Sequence, residues 1–100
     1  MKQDKVIRAL VLALAATPAL AQTTIADPPP GRLLASNCFQ CHGTNGKGGV
    51  ETLAGGSSSE IYNELKEMQR KSSPEMMDMH ARGYTDAQIR LIADYFSKQR

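Results

Sequence analysis

Two cysteines and a histidine fall within five consecutive positions of this chain, in "NCFQCHG" at residues 37–43, and no other cysteine occurs. This cluster lies in a very short chain. If the first 21 of the 100 residues are a leader, 79 remain. At that length a hydrophobic core alone is marginal, and small domains commonly depend on a disulfide, a metal or another staple. The cysteine cluster is where such a staple can be fixed.

The leader is read from its three parts. Lys2, Lys5 and Arg8 form a charged start, "VLALAA" continues an apolar run, and Ala19, Leu20 and Ala21 make a small-residue cleavage site. The apolar run is about a dozen residues, short of the roughly 20 that span a membrane. Residues 1–21 are therefore expected to be a cleaved secretory signal, leaving residues 22–100 as one domain of an exported, periplasmic protein. Of twelve basic and ten acidic side chains, three and one fall in the leader, so the mature chain carries nine of each. That balance gives no electrostatic case for nucleic-acid binding, which relies on a basic surface.

C-x-x-C-H is the sequence cue for covalent attachment of a c-type haem. Thiols at i and i+3 share one side of a helical turn, so Cys38 and Cys41 can each add to a vinyl group at a porphyrin edge. The next residue, His42, can then turn its imidazole under the iron. Covalent attachment prevents loss of the cofactor outside the cytoplasm and gives a short chain a large apolar plate to pack against. Other uses of the thiols fit less well. A disulfide across three residues constrains the unfolded chain little, and a thioredoxin-like dithiol expects a βαβ context that is missing. Zinc would need Cys38, Cys41, His42 and a fourth ligand such as His80, but three ligands within five residues are hard to wrap around one tetrahedral ion. With a single C-x-x-C-H, the chain is expected to hold one haem.

Around the motif the pattern is helical. After a proline-rich lead, residues 31–37 read as a short helix running into the cysteines, with Leu33, Leu34 and Phe39 as its buried residues. Six glycines in residues 43–56 argue against regular structure and let the backbone lie close to something flat. A helix is predicted over 58–71, with Ser57 and Glu60 at capping-box spacing and Ile61, Leu65 and Met68 on one stripe. Residues 72–84, broken at Pro74, read as a loop carrying three methionines and the second histidine. The last helix starts after Thr85, with Gln88 at capping distance and Ile89, Ile92, Ala93 and Phe96 as its stripe. No stretch alternates in the manner of a strand. The fold class is all-α, three to four short helices.

An electron-carrying haem needs a ligand opposite His42. Met68 is read as core, which leaves Met76, Met77, Met79 and His80, and spacing alone does not choose among them. A thioether favours ferrous iron more than an imidazole does, so the choice bears on redox potential.

"CFQCHG", "GTNGKGG", "LAG" and "MMDMHARGYTDAQIRLIADYFSKQ", taken in order, resemble a small class I cytochrome c over nearly all of the mature sequence. Within that family the chain is most similar to the cytochrome subunit of flavocytochrome c sulfide dehydrogenase, in which a segment M-x-x-x-A-[KR]-G-Y-[ST] precedes the final helix. Met77, Ala81, Arg82, Gly83, Tyr84 and Thr85 fill that pattern here. The resemblance implies that Met77 is the axial methionine and that the fold wraps one covalently bound haem. It also implies a partner, an FAD-bearing subunit that oxidises sulfide and passes single electrons to this haem. The sulfur chemistry would belong to the flavin chain, since nothing here supplies a nucleophile or an acid and base pair for it. The alternative expectation is a freestanding periplasmic carrier between a dehydrogenase or quinol-oxidising complex and a terminal oxidase.

Overall fold

A computed structural model describes residues 16–100. Residues 1–15, with the charged start and most of the apolar run of the expected leader, lie outside the described residues. Residues 16–29 follow without regular structure and are exposed. No helix among the described residues is long and apolar enough to cross a membrane.

The described residues contain helices and no strand. Helix α1 (Arg32–Ala35), a 3₁₀ turn (Ser36–Cys38) and α2 (Phe39–His42) follow one another without a break, and a second 3₁₀ turn spans Thr44–Gly46. Then come α3 (Ser58–Arg70), α4 (Met76–Ala81) and α5 (Asp86–Ser97). With the helical stretch through the motif taken as one unit, this is the all-α arrangement of four short helices that the sequence predicts.

The caps lie at the predicted positions. Ser57 Oγ accepts from the Glu60 amide at 3.4 Å. Thr85 Oγ1 accepts from the Gln88 amide at 3.2 Å while Gln88 Oε1 accepts from the Thr85 amide at 2.9 Å. The reciprocal pair satisfies two of the amides that every helix start leaves without partners.

The methionine segment differs from expectation. Residues 76–81 form α4 instead of a loop. Asp78 supplies the reason, because its Oδ2 accepts from the Glu75 amide at 2.8 Å and fixes the first turn. Ser and Thr at the position before a helix are easy to recognise in a sequence, whereas a glutamate there, closed by an aspartate three residues on, is not. Leu33 also departs from expectation: it is 80% exposed, and Ala35 is the residue of α1 that is fully buried.

The core joins the two ends of the domain. Ala35, Ile92, Tyr95 and Phe96 form one buried cluster, with Phe39, Leu34 and Leu53 packed against it. Phe39, Tyr95 and Phe96 meet at ring-centroid distances of 5.6 to 6.3 Å in tilted or edge contacts. Full burial of side chains such as Ile89, Ile92 and Phe96 contributes about 1.5 to 3 kcal/mol each. Close crossing of α1 over α5 depends on Gly31, whose φ of 80° is left-handed and whose position leaves no room for a Cβ beside the Leu91 carbonyl.

The glycine-rich loop folds back on the cysteine turn. Gly43, at φ 84°, could not carry a Cβ without overlapping the Lys47 carbonyl. Beyond it the Val50 amide donates to the Cys41 carbonyl at 2.8 Å. Tyr95 ties the loop to the core by donating to Asn45 Oδ1 at 2.6 Å. The close approach that the glycines allow here is of the loop's own backbone to the motif.

Candidate functional site

The helical turn through α2 directs the motif's side chains to two adjoining cavities. The first is lined by Asn37, Cys38, Cys41, His42, Met76, Met77 and His80. Cys38, His42 and Met77 also line the second, together with Leu53, Ile61, Leu65, Met68, Ile92 and Phe96, and with Glu51 and Glu64. Residues 35 positions apart in the sequence thus share the same walls. Cys38 and Cys41 are not joined to each other. Burial pushes the Cys38 thiol up, with the charge of Cys41 adding to it, so Cys38 lines the wall as a neutral thiol.

His42 is buried, at 8% exposure. Its Nδ1 lies 3.1 Å from the Glu51 carbonyl oxygen. A carbonyl can only accept, so Nδ1 carries the proton and the Nε2 lone pair stays free for a metal. An outer hydrogen bond of this type orients a ligating imidazole and raises its basicity. Glu51 enters through its backbone, which is why no side-chain pattern announced it.

The three methionines of α4 differ in surroundings. Met76 is 83% exposed and Met79 is 55% exposed, whereas Met77 is half-buried and lines both cavities. Met79 Sδ accepts from Arg82 at 3.8 Å, a weak contact on the outer side. His80 lines the first cavity with its Nε2 3.3 Å from the Tyr84 hydroxyl.

Several ties hold α4 in place. Asp78 is buried and meets Lys71 Nζ at 3.3 Å. The Glu75 amide, with Lys71 beside it, holds the Asp78 carboxyl below the usual carboxylate range. Arg82 donates to the Lys71 carbonyl. Gln69 of α3 donates through Nε2 to the carbonyls of Ala81 and Tyr84, both at 2.9 Å, and its Oε1 accepts from Lys66 at 3.0 Å. Nothing in the sequence distinguishes Gln69 from other polar residues on a wet helix face.

The walls fit a haem. Helix α3 has no buried residue, although Ile61, Leu65 and Met68 form an apolar stripe along it. Met68, read from the sequence as core, is half-buried and lines the second cavity. A 13-residue amphipathic helix whose apolar stripe faces a cavity asks for a flat apolar partner there. The donor set agrees, with two thiols, a free imidazole nitrogen and a thioether on the walls.

The family model described as cytochrome c oxidase, cbb3-type, subunit III matches residues 26–96. The cytochrome subunit of sulfide dehydrogenase from Chlorobaculum tepidum is 36% identical over 69 residues, which cover 66% of this chain. The match spans 63% of that relative's length. The chain belongs to this cytochrome c family, whose members are electron-transfer haem proteins rather than catalysts.

Proposed function

We propose that the chain is an exported mono-haem cytochrome c, cleaved after Ala21, that accepts electrons as the cytochrome subunit of a sulfide-oxidising flavoprotein in the periplasm. In this reading Cys38 and Cys41 hold the haem by thioether links, and His42 and Met77 are its axial ligands. The observation that carries it is the joint presence of Cys38, His42 and Met77 on the walls of both cavities. The Chlorobaculum tepidum relative, named as a sulfide dehydrogenase subunit, supports the choice of partner.

When bound, haem iron supplies a one-electron ferric/ferrous couple. His42 presents Nε2 while Glu51 fixes its tautomer. Met77 offers a thioether, which favours the ferrous state and so suits an acceptor. Ile61, Leu65, Met68 and Phe96 supply apolar walls that exclude water from the iron and keep reorganisation small.

Purification of the protein from its exporting host tests the reading. The expected preparation begins at Gln22, carries one haem that denaturants do not extract, and brings down an FAD protein through which sulfide reduces it. A haem protein that recovers no flavoprotein and stays oxidised with sulfide would overturn the partner and favour the freestanding carrier.

A further inference from the structure

His80 has no part in the ligation just proposed, yet it lies on the wall of the first cavity with His42 and Met77. It follows Met77 by three residues on α4, a spacing that puts both side chains on one helix face. Its Nε2 is engaged: the Tyr84 hydroxyl lies 3.3 Å away, and the two rings meet edge to face at 5.6 Å. With the imidazole proton on Nδ1, the Tyr84 hydroxyl donates to the Nε2 lone pair, the same lone pair that a metal would take. Tyr84 is itself anchored, since it packs against the buried cluster of Ala35, Ile92, Tyr95 and Phe96. Burial pushes its phenol up, so the hydroxyl keeps its proton at neutral pH.

We infer that His80 is a reserve nitrogen ligand for the iron, capped by the Tyr84 hydroxyl while Met77 is bound and able to take the sixth position when the thioether leaves. The inference rests on the assignment of Met77. The exchange breaks one iron–sulfur coordination bond and forms one iron–nitrogen bond. Each donor brings its own lone pair, and no electron or proton is transferred to the iron. A surface histidine paired with a tyrosine one helical turn on would be the bland account of the same contact, and the two accounts differ in what happens once Met77 is removed.

The test uses the haem-loaded protein with Met77→Ala, Met77→Ala with His80→Ala, and Tyr84→Phe, read by optical and electron paramagnetic resonance spectra of the ferric state. Met77→Ala should lose the weak red band of methionine-ligated haem but stay low-spin. Adding His80→Ala should make it high-spin. Added imidazole should then bind the double variant about tenfold or more tighter than Met77→Ala, because the internal ligand no longer competes. Tyr84→Phe alone should weaken the methionine band, since Nε2 is released. A high-spin Met77→Ala, a double variant that remains low-spin, or equal imidazole affinities would overturn the reserve ligand. An unchanged band in Tyr84→Phe would overturn the capping role. Survival of the methionine band in Met77→Ala is a separate result, and it would overturn the axial assignment on which the inference rests.

Discussion

The two sides of this small domain are held together in different ways. Where α1 crosses α5, Ala35, Ile92, Tyr95 and Phe96 are buried by protein alone, and the rings of Phe39, Tyr95 and Phe96 interlock. Helix α3 has no buried residue. Ile61 and Leu65 pack half-buried against that cluster, and the other ties to α5 are polar: Ser58 donates to Asp94, Lys66 pairs with Asp86, and the Arg90 guanidinium lies over the Tyr62 ring at 3.8 Å. Exposed ion pairs of this type each contribute at most about 1 kcal/mol. One side therefore is closed by protein alone, and the other packs only in part on protein and turns the rest of its apolar stripe to the second cavity.

Removing the proposed covalent anchor should have the largest effect. Cys38→Ala with Cys41→Ala, or any route to the haem-free chain, should lower the helical circular dichroism signal by roughly half or more and abolish a cooperative melt, because the short chain then buries too little. An apo form with full helix content and a sharp transition would show that α3 and α4 dock without a plate, and the contrast between the two sides would fail.

Phe96→Ala comes next. Phe96 is fully buried and also lines the second cavity, so it belongs to both sides. Its loss should cost about 3 to 5 kcal/mol in denaturant titration of the haem-loaded protein. A cost near 1 kcal/mol would mean that the α1–α5 crossing leans on the haem as much as α3 does.

The same contrast explains what the sequence could reveal. The motif, the caps at Ser57 and Thr85 and the stripe of Ile89, Ile92, Ala93 and Phe96 are local patterns with local causes, and they were legible. Leu33 misleads because two adjacent leucines suggest burial, whereas a tight crossing at Gly31 admits the smaller Ala35, which no pattern singles out. Met68 was read as core because a stripe shows which face is apolar but not whether protein or cofactor covers it. Helix α4 escaped notice because Asp78 closes a cap on a glutamate. At the site, the three residue types proposed to hold the haem were visible, but the Glu51 carbonyl that orients His42 and the Ala81 and Tyr84 carbonyls that Gln69 grips are backbone groups brought close only by folding.

Gln69 gives a smaller and more selective test. Gln69→Leu removes both hydrogen bonds to the carbonyls of Ala81 and Tyr84 and leaves those carbonyls unpaired, a loss of about 1 to 2 kcal/mol. Under the assignment of Met77, freeing the C-terminal end of α4 should weaken the methionine band at temperatures well below the melt. A stability loss with the band intact would show that Gln69 fastens α3 to the turn at Tyr84 without positioning the ligand.

The smallest effect is expected on the outer face of α3. Arg90 of α5 lies over Tyr62, and neither residue lines the two cavities. Arg90→Ala should cost about 0.5 to 1 kcal/mol, the range for an exposed cation over an aromatic face, and should leave the haem spectrum and redox potential unchanged. Arg90→Lys should restore part of the loss, since the attraction needs a cation over the ring. If Arg90→Ala instead disturbs the spectrum, this surface contact sets the position of the apolar stripe, and Ile61, Leu65 and Met68 depend on it to meet the haem. A null effect on stability would sharpen the contrast further, because it would leave the apolar stripe, packed partly on the cluster and partly facing the second cavity, as what holds α3 against the domain.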